Sequence, residues 1–173
     1  DEIVGLAEAA PSMVSLIDPD APEFAAPENM PESIAAICLR TGQPVPENDA
    51  AFVRCIFDSL ALKYRIVFRK LSAYSPVPLE GLYMLGGGAR NALLNQMTAD
   101  SLGVPVMTGP AEATAIGNIA VQMISTEALD SLEAARTIVE NSFASEVFEP
   151  SDGDLFDRAA TRFEALLNRE ASR

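Results

Sequence analysis

The sequence predicts an α/β fold, a parallel βαβ unit with several helices packed around it. Three observations carry that reading. Two short apolar runs, LYML at 82–85 and VPVM at 104–107, have the length of strands. One amphipathic segment of helical length joins them, which favours parallel pairing through a right-handed crossover. Most of the remaining chain places apolar residues at helical spacing, so that helices outnumber strands.

Taken in order, the first thirty or so residues show no periodic element. The proline-rich stretch SLIDPDAPEFAAPENMPES reads as an irregular surface crossing, with Asp18 and Asp20 as solvated turn residues. Asn29, with Glu32 three positions on, is a capping candidate, and Ile34, Ala35, Ile37 and Cys38 continue it as a helix that Gly42 closes. After the linker QPVPEN, Asn48 or Asp49 opens the longest element. Its apolar stripe runs through Phe52, Ile56, Leu60, Tyr64, Val67 and Leu71, and Arg54, Asp58, Lys63, Arg65, Arg69 and Lys70 are expected on a solvated face. Ser75, Pro76 and Pro78 end that helix, and LYML follows as a strand covered on both faces. The next helix, 91–102, turns Leu93, Leu94, Met97 and Leu102 inward and stops at Gly103. VPVM is the second strand. A helix at 111–124 then opens with Glu112, and its small residues are expected to lie close to the sheet through Ala113, Ile116, Gly117, Ala120 and Val121. Helices at 131–140 and 154–168 complete the chain, with the irregular FASEVFEPSDG between them. Two parallel strands need neighbours, and the expectation is that residues preceding Asp1 complete the sheet, with another chain as the alternative.

Composition narrows the function. The 173 residues are 49% hydrophobic, enough for one domain with a sizeable core. Twelve Lys and Arg stand against 25 Asp and Glu, a net charge of -13 that repels phosphate backbones and anionic headgroups. Nucleic acid and membrane are therefore not expected as partners, and the absence of a leader-like N-terminus suggests a cytoplasmic location. Histidine is absent, which removes histidine-based triads, zinc sites containing histidine and the commonest general base. Cys38 and Cys55 read as small buried hydrophobes, with a bridge between adjacent helices as the alternative.

The segment MLGGGARNALLNQM carries the most chemistry. A strand, a glycine turn and a helix N-terminus present unpaired N–H groups, and missing Cβ atoms let a ligand approach the main chain, which suits phosphate or a flat purine ring. Close strand-to-helix packing also produces such turns. A Walker loop needs Gly-Lys-Ser or Gly-Lys-Thr where this chain has Gly-Ala-Arg, and a dinucleotide fingerprint needs an acid where Met107 and Thr108 stand. Asn91 offers an amide to a base edge or a ribose hydroxyl, or else caps the helix. Arg90 is expected in solvent, and Gln96 is expected to bond neighbouring backbone.

GGGARNALLNQMTADSLGVPV followed by GPAEATAIGNIAVQ resembles the C-terminal domain of the FGGY carbohydrate kinases. SLIDPDAPEF, MPESIAAICLRTGQPVPE and SLALKYR resemble the branch of that family that phosphorylates L-rhamnulose, more than those acting on glycerol, xylulose or gluconate. The resemblance implies an actin-like ATPase (ribonuclease H-like) fold, with residues 1–173 as the nucleotide-binding C-terminal domain lacking its N-terminal portion. It implies ATP and magnesium as cofactors, with Gly87 and Gly88 approaching the nucleotide through their backbone and Asn91 near the adenosine. Glu112, Thr114 and Gly117 match a segment that supports the pocket. The family's N-terminal phosphate loop, sugar pocket and aspartate base have no counterpart here, so this polypeptide alone is expected not to catalyse transfer. Another sugar of the family, such as xylulose, ribulose or fuculose, remains an alternative. So does a noncatalytic α/β interaction module.

Overall fold

The longest helix organises the molecule. In the computed structural model, which describes residues 2–171, α3 (Asp49–Tyr74) is flanked by α1 (Glu2–Ala9), α4 (Ala92–Leu102) and α7 (Asp154–Ala171), while α2 (Met30–Arg40) joins the layer through a second apolar cluster. Asparagine side chains start several of these helices. Asn29 accepts from the Glu32 N–H at 3.2 Å and donates to the Glu32 carboxylate at 2.9 Å, and Asn48 accepts from the Ala51 N–H at 3.0 Å. Such reciprocal bonds satisfy donors that the first turn leaves open.

Helix α1 has no sequence signal of its own, yet residues 2–9 are helical. The reason is tertiary. Ala7 is fully buried on the α3 side, and Arg54 of α3 reaches the carbonyls of Ala7, Glu8 and Ala10 at 3.3–3.5 Å, where a helix end leaves acceptors unpaired.

The polar face expected on α3 is solvated at Arg69 and Lys70, but Asp58 and Arg65 are buried and Arg54 and Lys63 half-buried. Its most buried line runs through Cys55, Asp58, Ser59, Leu62 and Arg65, whereas Val67 and Leu71 of the expected stripe are exposed. Neighbours on several sides enclose the helix, and its buried polar side chains find partners, although the Nε of Arg65 is left without one. Asp58, 1% exposed, accepts from the Met13 N–H at 2.5 Å and from Arg54 at 2.9 Å. Arg65 donates to the Ser101 carbonyl at 2.9 Å and pairs with Asp157. Lys63 pairs with Asp18 and Asp20 at 2.7 and 2.8 Å, so the acidic turn is anchored to α3. Around this line lies the main core of Met13, Leu16, Leu62, Met97, Phe156 and Phe163.

Cys38 and Cys55 are both buried and free, within the second cluster formed with Ile17, Ala21, Ile34 and Ile37. A hydrogen bond with Cys38, together with burial, pushes the Cys55 thiol up, which keeps it protonated.

The sheet has the order β1-β2-β3. Strand β1 (Leu82–Met84) pairs in parallel with β2 (Val106–Thr108), with Tyr83 opposite Met107, and α4 forms the crossover. Strand β3 (Val147–Phe148) pairs antiparallel to β2, in the segment expected to be irregular. The side chains of Thr108 and Ser145 extend that edge: the Glu146 backbone N–H donates to Thr108 Oγ1 at 2.9 Å, and Ser145 Oγ donates to the Thr108 carbonyl at 2.6 Å. Tyr83 is 67% exposed, so β1 is covered on one face rather than two.

Helix α5 (Ala113–Ser125) departs most from expectation. None of its residues is buried, Ile119 and Val121 are 57% and 61% exposed, and a Cβ built on Gly117 meets nothing within 4 Å. Its main neighbour is α6 (Leu132–Ser142) rather than the sheet. The apolar spacing is present, and its Ala113, Ile116, Ala120 and Ile124 side is half-buried, while Ile119 and Val121 stay exposed. No helix among the described residues is long and apolar enough to cross a membrane.

Candidate functional site

The chain leaves β1 through Leu85, which is still extended, and turns at Gly86 with φ +77° into a 3₁₀ turn, Gly86–Arg90. Positive φ favours glycine because a Cβ would crowd the backbone. The turn is fixed at its base to the connection that leaves β2. The Gly86 N–H donates to the Pro110 carbonyl at 3.3 Å, and the Gly109 N–H to the Met84 carbonyl at 3.0 Å. Leu85 lies so close to Gly109 that a Cβ there would stand 2.4 Å from its Cδ2. Both connections sit at the C-terminal ends of parallel strands, where open α/β sheets place their ligands.

Gly87 and Gly88 occupy the exposed part of the turn. A Cβ on Gly87 meets nothing within 4 Å, and one on Gly88 meets only Met84 Sδ at an ordinary 3.6 Å. Packing therefore does not explain why these two positions lack side chains. The first N–H groups of a helical turn have no partner within it; that of Gly86 is bonded to Pro110, and Gly87 beside it is exposed.

Asn91 is the N-cap of α4, its Oδ1 accepting from the Leu94 N–H at 3.0 Å. Capping occupies the oxygen, and the Nδ2 amide is the part that remains for a ligand. Gln96, one turn on, bonds the Glu149 carbonyl at 2.8 Å and Asp100 at 2.9 Å, so it holds the segment after β3 against α4.

These residues border a cleft of about 620 Å³ lined by Gly87, Arg90, Asn91, Leu93, Gln96 and Phe148, with Val4 and Glu8 of α1 on its far side. That size is within the range of cofactor pockets. Gly88 lies beside the lining rather than in it. Phe148 offers a flat apolar surface, and Arg90 a cation that stands 3.9 Å from the exposed Glu112. Sequence pattern does not reveal Phe148, because its position depends on the pairing of β3 with β2. Glu112, Thr114 and Gly117 are exposed and lie outside the cleft, so they do not pack beneath it.

The titratable groups lining the cleft are Glu8 and Arg90, and no nucleophile is seated beside a base. Among the described residues no cluster of three acidic or thiol side chains could hold a metal ion, and one carboxylate, Glu8, faces the cleft. Magnesium in nucleotide sites is usually held by one or two carboxylates together with substrate phosphates and water, so Glu8 is the carboxylate this cleft has to offer.

Residues 4–126 match the model for the FGGY family of carbohydrate kinases, C-terminal domain. A rhamnulokinase of Bacteroides thetaiotaomicron is 43% identical over 162 residues, 94% of this chain and 33% of that relative. Among solved structures, a Plasmodium falciparum glycerol kinase with ADP aligns over 99% of this chain and 33% of its own, with a TM-score of 0.60 and 16% identity. A xylulose kinase of Rhodospirillum rubrum aligns over 74% of this chain and 26% of its own, with a TM-score of 0.56 and 21% identity. The fold is that of these kinases, the actin-like ATPase fold. The chain spans about a third of the length of the curated relatives it matches.

Proposed function

The chain belongs to the FGGY family of carbohydrate kinases, C-terminal domain, and from that premise we propose that residues 1–173 form the nucleotide-binding part of a cytoplasmic kinase that converts L-rhamnulose to L-rhamnulose 1-phosphate in rhamnose catabolism. The observation that carries the reading is the cleft against Gly87, open at the C-terminal ends of β1 and β2. The bare main chain of Gly87 and Gly88 takes the nucleotide, with the Gly87 N–H donating to it. The Asn91 amide meets the adenosine, and the Phe148 ring offers a face to the base. ATP supplies the phosphoryl group when bound. This chain's residues bind and orient the nucleotide, and positioning is a large share of phosphoryl-transfer catalysis. Magnesium belongs to the family's reaction, and its ligands are assigned to the phosphates and to residues outside this chain.

The similarity to a rhamnulokinase supports the choice of sugar. The aspartate base and most of the sugar contacts are assigned to the two thirds of the relatives' length that this chain does not match. The chain alone is therefore expected to bind ADP and to leave L-rhamnulose unphosphorylated. Calorimetric titration of the 173-residue chain with ADP tests the binding. Assays of the full-length enzyme with L-rhamnulose, xylulose, ribulose and fuculose test the sugar. A chain that is folded yet indifferent to ADP sinks the first claim, and preference for another of those ketoses sinks the second.

A further inference from the structure

Asn95 lies within α4, one turn beyond the cap and beneath the glycine turn. It is fully buried, among Leu94, Met97 and Thr98 on the covered side of the helix. Its Nδ2 donates to the Ala89 carbonyl at 3.0 Å, a bond six residues back that crosses from the helix into the 3₁₀ turn. Its Oδ1 has no partner. The orientation of the amide follows from the contact, because only the NH₂ end can face a carbonyl.

A buried acceptor without a donor is unfavourable, and a leucine of similar volume would avoid it in these surroundings. Packing of α4 therefore does not call for an amide here. The bond to Ala89 is the one thing the amide adds. Ala89 directly follows Gly87 and Gly88, so the tether fixes the part of the turn that the cleft exposes.

We propose that Asn95 is a positioning residue, whose amide holds the Gly86–Arg90 turn in the shape that keeps the Gly87 main chain open to the nucleotide. This rests on the nucleotide reading of the cleft, and it adds a residue that does not itself touch the ligand.

The test compares wild type with Asn95→Leu, which removes the tether and the orphan oxygen together. ADP affinity is measured by calorimetry, thermal stability by circular dichroism, and opening of residues 86–90 by hydrogen exchange. Asn95→Leu should melt at or above the wild-type temperature, bind ADP about fivefold more weakly, as loss of one hydrogen bond predicts, and exchange faster in the turn. A lowered melting temperature with unchanged ADP affinity and unchanged exchange makes Asn95 a plain core residue and overturns the proposal. Should Asn95→Leu not fold, Asn95→Ala removes the amide with less bulk and adds no donor, and it should give the same weakened binding and faster exchange. If neither variant folds, the positioning role is refuted. Wild type that does not bind ADP removes the nucleotide reading instead, and the exchange rates of the turn still decide whether the tether exists.

Discussion

Gly87→Ala should separate ligand binding from folding. A methyl group at this position meets no atom within 4 Å, and Gly87 is not among the positive-φ glycines, so the fold accepts the alanine without strain. Replacing glycine at such a site stiffens the unfolded chain and stabilises by about 0.4–1 kcal/mol. For a chain of this size that raises the melting temperature by about 1–4 °C. The same methyl group stands where a nucleotide would meet the main chain. Losing a hydrogen bond to a charged ligand costs about 1.5–3 kcal/mol, which weakens ADP binding by about 10- to 150-fold. Gly86→Ala is the control, because φ of +77° makes a side chain unfavourable there by about 1–2 kcal/mol. Calorimetric titration with ADP, run beside thermal melts of the three proteins, measures both effects. Wild-type affinity in Gly87→Ala, or a loss of stability as large as that of Gly86→Ala, would refute the reasoning that this position is bare for the sake of a ligand.

Asn91→Asp keeps an acceptor for the Leu94 N–H but loses the amide donor, so its melt should match wild type while ADP binds more weakly; Asn91→Ala should also lose about 0.5–2 kcal/mol of stability with the cap. Asp58→Ala strips the Met13 N–H of its acceptor and Arg54 of its partner, and urea unfolding should show a loss of about 3–5 kcal/mol. The pH dependence at Asp58 has a defined sign. Burial raises its pKa, against the opposing Met13 N–H and Arg54, so the folded state holds the proton more tightly than the unfolded one. The contribution is most favourable below the ordinary carboxylate range and declines as pH rises through the interval up to the folded value. Unfolding free energies of wild type relative to Asp58→Asn should therefore fall with rising pH across that interval, and a flat difference would contradict the assignment.

Local chemistry was legible and enclosure was not. Asn29 and Asn48 announce their helices because a cap needs only its own next three residues, and the same holds for Gly103, which closes α4 in the left-handed conformation. The glycine turn and Asn91 could be singled out for the same reason. Helix α1 could not, since its stability comes from Arg54 and from contact with α3 some fifty residues on. Asp58 and Arg65 carry the residue types of a solvated face, and only the arrival of residues 13 and 157 turns that face into an interior. Strand β3 is two residues long, too short for alternation to register. Phe148 enters the cleft through that strand, so it was invisible for the same cause. In α5 the apolar spacing was legible, but a pattern does not say what will lie against it, and the neighbour is α6 rather than the sheet.

The place of α7 in the main core has a consequence for synthesis. Phe163 is completely enclosed, and the partners that enclose it include Leu16 and Leu62, which leave the ribosome about a hundred residues or more earlier. Until α7 emerges, the nascent chain carries those oily surfaces without the Phe163 ring that covers them. A premature stop before residue 154 would accordingly yield sticky, unfinished polypeptide rather than a smaller working unit.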